Sequence, residues 1–280
     1  MQIIDGKKIS AEIKDEVKAE IAALKEKGIE GSLAVIQVGE DPASSVYVRN
    51  KSKACEYVGL GSLTYKMDES ISQEELIDKI EELNQDDTVV GILVQLPLPK
   101  HIDEDAIIDA IDPSKDVDGF SVKSVGALSI GKKGFVSCTP AGIIQLMKRS
   151  GIEMDGKNCV IIGRSNIVGK PMGMLMLREN ATVTITHSHT KNLKQICSEA
   201  DILIVAIGKK EFVTADYVKK GAVVIDVGIH RDENNKLKGD VAFEEVSQKA
   251  SYITPVPGGV GPMTIAMLMY NCLESLKSRQ

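Results

Sequence analysis

Val160-Ile161-Ile162-Gly163-Arg164-Ser165-Asn166-Ile167-Val168-Gly169-Lys170-Pro171 reads as a buried strand, a glycine-bearing turn and the opening of a helix. In that order, the free amides of the helix N-terminus face an anion, and glycine lets the backbone come close to it. The spacing is not Gly-x-Gly-x-x-Gly, because Arg164-Ser165 stands where the second glycine would fall. Nor is it a Walker loop: one residue too many separates the glycines, and Pro171 replaces the Ser or Thr of a magnesium site. Taken alone, the turn suits either a nucleotide phosphate or a tight structural turn.

Downstream, the pattern predicts a helix over 169–178, a strand over 182–186, a helix over 193–199 and strands over 202–206 and 222–227. Repeated strands joined by short helices mean a parallel sheet. The strand at 182–186 runs into His187-Ser188-His189-Thr190, which offers donors and no carboxylate. An NAD site usually ends that strand on Asp or Glu, to hold the ribose 2′-hydroxyl. Donors together with Arg164 suit a 2′-phosphate, so NADP is expected over NAD. The two histidines have no evident third ligand, and no metal site is expected. Arg231–Lys236 is expected to be a polar loop, and a last amphipathic helix runs from 263 to about 277.

Upstream, the same logic recurs. A helix over 7–27 carries Ile9, Ile13, Val17, Ile21 and Leu24 on one face and stops at Gly28. Strands are expected at 33–39, 61–67 and 89–95, with helices between them. One of these helices contains Tyr47-Val48-Arg49-Asn50-Lys51, with Ser44 or Ser45 as its cap and Gly59 as its stop. Positions four apart share a helical face, so the Tyr47 phenol and Lys51 amine point into one space. Gln95-Leu96-Pro97-Leu98-Pro99 leaves the carboxyl end of a strand, where parallel sheets bind ligands. Thr139-Pro140 reads as an N-cap and first turn of a helix to about 150, taken as the bridge between two domains.

Composition narrows the function. A net charge of −6 without a basic run argues against a nucleic-acid footprint. No apolar stretch reaches membrane-spanning length, and the first residues lack the apolar core of a signal peptide. Cys55, Cys138, Cys159, Cys197 and Cys272 are scattered, which suits free thiols in a reducing, cytoplasmic setting.

Five motifs in order carry a resemblance: Tyr47-Val48-Arg49-Asn50-Lys51, Gln95-Leu96-Pro97-Leu98-Pro99, Asp116-Val117-Asp118-Gly119-Phe120, the turn from Gly163 to Met172, and Pro255-Val256-Pro257-Gly258-Gly259-Val260-Gly261-Pro262-Met263-Thr264. With them the chain closely resembles the bifunctional methylenetetrahydrofolate dehydrogenase/methenyltetrahydrofolate cyclohydrolases over nearly its whole length. The resemblance implies oxidation of 5,10-methylenetetrahydrofolate with NADP, then hydrolysis to 10-formyltetrahydrofolate for purine and formyl-methionine synthesis. It implies Lys51 as the catalytic residue, Gln95 positioning it, Tyr47 packing on the aminobenzoyl ring and Asp118 binding the pterin. Leu96, Pro257, Gly258 and Gly259 join these as substrate contacts, and Gly163, Arg164, Ser165, Ser188 and Ile229 as cofactor contacts.

The implied architecture is α/β, two three-layer domains with parallel sheets. Residues 1–139 plus 263–280 form the folate-binding catalytic domain, and 140–262 a Rossmann-like NADP-binding domain, with the substrate cleft between them. A homodimer is expected by resemblance alone. Another oxidoreductase on a similar plan, such as a shikimate dehydrogenase, remains the alternative; it does not need Gln95 and Asp118.

Overall fold

The computed structural model describes residues 1–279, apart from the Ala43 side chain. Two units emerge: Met1–Ser10 with Thr139–Thr264, and Ala11–Cys138 with Ile265–Gln280.

The first ten residues correct the expected domain plan. They join the six-stranded unit because Gln2–Ile3 pairs in parallel with Tyr252–Ile253, and Ile4 N–H donates to the Ile253 carbonyl at 2.9 Å. Two-residue strands carry too little pattern to be read from sequence. The full sheet runs Gln2–Ile3, Tyr252–Ile253, Val223–Asp226, Ile202–Val205, Asn158–Ile162, Thr182–Thr186, all parallel. Its inner strands are continuous apolar runs without alternation, as a sheet covered on both faces requires. Val160, Ile162, Leu203, Val205 and Val224 form a core with Val213, Val241 and Val246. The expected polar loop at 231–236 is the turn of a small antiparallel hairpin, His230–Arg231 against Leu237–Lys238.

The other unit has the three-stranded parallel sheet that the sequence implies, with Ser32–Val38 between Gly61–Met67 and Val89–Val94. The helix Gln73–Gln85 buries Leu76, Ile80 and Leu83 at i, i+4, i+7 against this sheet. Its start is a full capping box between Ser72 and Glu75. Its C-terminal carbonyls are held by a buried lysine: Lys115 Nζ donates to the carbonyls of Leu83, Asn84 and Asp86 at 2.8–2.9 Å.

Two caps differ from expectation. The helix Pro42–Val58 is capped by Asp41, whose carboxylate accepts from Ser44 N–H at 2.7 Å. Asp41-Pro42 places an acceptor just before a proline that needs no N–H partner, so Ser44 is left as donor. Gly59 ends the helix as expected, at φ +83°. The helix Cys138–Arg149 begins one residue before Thr139, whose Oγ1 lies 2.8 Å from that of Thr264 and caps nothing.

Candidate active and cofactor sites

The helix Pro42–Val58 delivers Tyr47 and Lys51 on one face, as their spacing demands. Tyr47 is 44% exposed, whereas Lys51 is 8% exposed. The lysine reaches Gln95, just past the strand Val89–Val94, and its Nζ donates to Gln95 Oε1 at 3.0 Å. The glutamine cannot rotate freely, because its Nε2 donates to the Leu96 carbonyl at 2.7 Å. Its oxygen is therefore fixed toward the ammonium.

Asp118 lies in the same field. Burial pushes its carboxyl above the usual range, and the Lys51 charge pulls it back. Its Oδ1 is 3.8 Å from Cys138 Sγ, and burial with the neighbouring carboxylate drives that thiol well above its ordinary range, so it stays protonated. The turn that presents Asp118 is organised by Asp116, two residues earlier, whose role sequence reading missed. The Asp116 carboxylate accepts from the N–H groups of Gly119, Phe120 and Ser121 and from Ser124 Oγ. Asp-x-x-Gly-x-Ser is the signal that could have found it. Gly119 sits at φ +71°, where a Cβ would lie 2.7 Å from Ser137 N. Asn271 of the helix Gly261–Lys277 pins the rest, donating to the carbonyls of Val117 at 2.8 Å and Val136 at 3.0 Å.

In the six-stranded unit, the register places three strand ends side by side. Ile162 pairs with Thr186 on one flank and Val205 on the other, so Gly163, His187-Ser188 and Ala206 leave the sheet together. There they line a cavity of about 270 Å³ with Arg164, Lys209 and Phe212. Gly163 is at φ +128°, and a Cβ would meet the Ala206 carbonyl oxygen at 2.2 Å, so the turn demands glycine. Ser165 Oγ accepts from Val168 and Gly169 N–H at 3.2 and 3.4 Å and shapes the turn. The lining carries cations and a hydroxyl and no carboxylate, which fits the phosphorylated ribose of NADP. Ile229 follows the end of the next strand, Val223–Asp226, and is exposed.

The Pro257-Gly258-Gly259 loop lies against the start of the first helix. Lys7 N–H donates to the Gly258 carbonyl at 3.2 Å, and a Cβ on Gly6 would overlap the Gly259 oxygen. The Val256–Pro257 bond is cis, as is Leu96–Pro97. Among the described residues, no group of three or more His, Cys, Asp or Glu is placed to hold a metal, and no helix is long and apolar enough to cross a membrane. All five cysteines are free and buried.

A parallel sheet with a cationic cavity at its strand ends and a second parallel-sheet unit with a buried lysine fit the class of two-domain α/β oxidoreductases. Comparison narrows the class. The catalytic-domain model of tetrahydrofolate dehydrogenase/cyclohydrolase matches residues 4–118, and that family's NAD(P)-binding domain model matches 137–280. The bifunctional protein FolD of Agathobacter rectalis is 71% identical over 98% of this chain and 99% of its own. The crystal structure of the Campylobacter jejuni FolD dehydrogenase/cyclohydrolase superposes with a TM-score of 0.99 at 54% identity, covering all of both chains. The Trypanosoma brucei dehydrogenase-cyclohydrolase, solved with NADP and an inhibitor, gives 0.94 at 37% identity, over 99% of this chain and 97% of its own. The chain belongs to the tetrahydrofolate dehydrogenase/cyclohydrolase family.

Proposed function

We propose that this chain oxidises 5,10-methylenetetrahydrofolate with NADP and hydrolyses the 5,10-methenyl product to 10-formyltetrahydrofolate, with Lys51, Gln95 and Asp118 at the chemical centre. The observation that carries this reading is the hydrogen bond from the buried Lys51 to Gln95, beside a carboxyl of raised proton affinity, in the unit that matches the family's catalytic domain.

Each side chain has a role its chemistry supports. The pterin edge presents an amine and a ring N–H side by side, and one carboxylate, Asp118, can accept both. Tyr47, exposed one helical turn before Lys51, offers a flat face for the aminobenzoyl ring. Bound NADP supplies the acceptor for the hydride that leaves the methylene bridge. For that step the protein contributes position more than acid or base. In hydrolysis, water adds to the methenyl carbon and loses one proton. The hydroxyl left there gives up the second as the formyl C=O forms and the bond from that carbon to ring N5 breaks. N5 takes up one proton and the other is released. Lys51, held by Gln95 and shielded from bulk water, is the group that moves these protons.

Arg164, Ser165, Ser188, Gly163 and Ile229 would hold the nucleotide, with Arg164 and Ser188 toward the 2′-phosphate. Leu96, Pro257, Gly258 and Gly259 complete the folate contacts. A homodimer in the cytoplasm is part of the same reading.

The test is a spectrophotometric assay of purified protein with 5,10-methylenetetrahydrofolate and NADP or NAD in parallel. Cofactor reduction with NADP, without accumulation of methenyl-folate absorbance, is the expected result. Reduction with accumulating methenyl-folate removes the hydrolase from the proposal, and no reduction with either cofactor removes the whole reading.

A further inference from the structure

The wall of the cofactor cavity formed by Ala206, Ile207, Lys209 and Phe212 is loop, and a loop does not hold its own backbone in place. What holds it is one buried side chain more than thirty residues downstream. The Asp240 carboxylate, fully buried, accepts from three consecutive amides: Ile207 at 2.8 Å, Gly208 at 3.0 Å and Lys209 at 2.8 Å. His230 Nε2 lies 2.7 Å from its Oδ1. The backbone around Asp240 grips the far side of the same wall: Glu211 N–H donates to the Gly239 carbonyl at 2.9 Å, and Val213 N–H to that of Asp240 at 3.0 Å.

A second buried carboxylate anchors the first to the sheet. Asp226, at the end of its strand, accepts from the N–H groups of Gly228, Asp240 and Val241. The fit is close enough that a Cβ on Gly239 would stand 1.8 Å from Asp226 Oδ2, and one on Gly228 would stand 2.4 Å from Asp240 Cγ. The chain of support therefore runs from the strand end, through Asp226, to Asp240, and on to the wall. Neither carboxylate is among the residues lining the cavity.

We infer that Asp240 is a positioning residue for the cofactor: its carboxylate sets the Ile207–Lys209 backbone that receives the nucleotide end of NADP. This rests on the placement of NADP in that cavity. Three parallel N–H groups on one carboxylate form a strong, directional clamp, and no neutral side chain of the same size replaces it. An asparagine would turn an N–H₂ toward amides that need an acceptor.

The experiment uses the full-length enzyme, whose second activity is an internal control because hydrolysis of methenyl-folate consumes no NADP. For Asp240→Asn the expected result is at least a tenfold rise in the NADP KM and in the NADP Kd by calorimetry. Dehydrogenase kcat at saturating NADP, and methenyl-folate hydrolysis, should stay within twofold of the parent. A merely structural role lowers both activities in parallel with the folded fraction, and that outcome overturns the inference, as does an unchanged NADP KM. Should Asp240→Asn fail to fold, hydrogen exchange on the unaltered enzyme without cofactor decides. The amides of Ile207, Gly208 and Lys209 should be protected although they lie in a loop, and free exchange there overturns the inference. Arg164→Ala separates the two levels. If it leaves NADP affinity unchanged, the cavity assignment fails; if it weakens affinity while Asp240→Asn does not, only the role of Asp240 fails.

Discussion

Gln95 Oε1 accepts a 3.0 Å hydrogen bond from Lys51 Nζ across 44 residues of sequence, while its own Nε2 is tied to the Leu96 carbonyl. The glutamine is thus a fixed acceptor that leaves the lysine one direction to point in. Replacing it with alanine frees the amine to wander. Gln95→Ala should lower methenyl-folate hydrolysis by about 10- to 100-fold, the rate equivalent of a hydrogen bond to a charged group. Thermal unfolding should barely change, and stopped-flow loss of methenyl absorbance is the measurement.

Lys51→Met keeps the length of the side chain and removes its proton chemistry. Hydrolysis should fall by roughly 100-fold or more, the usual contribution of general acid–base catalysis. NADP affinity, measured by calorimetry, should stay near that of the parent, because the proposed cofactor contacts belong to the other unit. Normal hydrolysis in this variant would sink the assignment of Lys51.

Lys115 carries a different load. Its ammonium is buried, and its three hydrogen bonds go to carbonyls at the end of the helix Gln73–Gln85. Burial, and then the charge of Arg279, lower its proton affinity, and nearby aspartates restore part of it. Lys115→Met leaves those carbonyls without the shared donor, and the expected loss is about 3 kcal/mol. Urea unfolding reads it directly, and a midpoint unchanged from the parent would refute the capping role.

Asp226 should titrate late. Burial raises its carboxyl from 3.8 to about 6, despite the three backbone N–H groups that pull it down. Because the folded state holds this proton more tightly than the unfolded chain, its contribution to stability is fully present below about pH 4. That contribution is lost as pH rises toward about 6, and amounts to on the order of 3 kcal/mol. Carbon-13 NMR of labelled aspartate should show one carboxyl with a midpoint near 6; a midpoint near 4 contradicts the effect of burial.

Much of the fold could be read in advance because buried parallel strands announce themselves. Val89–Val94 is buried at every position, so no alternation interrupts its apolar run. The edge strand Gly61–Met67 alternates between half-buried and exposed, and is recognisable for the opposite reason. The site was legible unevenly. Tyr47 and Lys51 share a helix, so their common face follows from spacing, but the Lys51–Gln95 contact is a tertiary fact that no local pattern encodes. The same holds for Asp240, whose three amide partners lie 31 to 33 residues away. Asp116 is hard to read for a nearer reason: its carboxylate is taken up by the backbone of its own turn, a contact that shows only once the turn has folded.

The interleaving of the two units sets the order in which this protein can be completed. Met1–Ser10 is made about 250 residues before the strand it pairs with, Tyr252–Ile253. The lysine-bearing unit likewise waits for the last helix, where Ser275 Oγ donates to the Val90 carbonyl at 2.6 Å and Asn271 closes the Asp118 turn. Neither unit is a contiguous stretch of chain, so neither can close until its distant segment has been made. No single cut in the gene yields either unit whole.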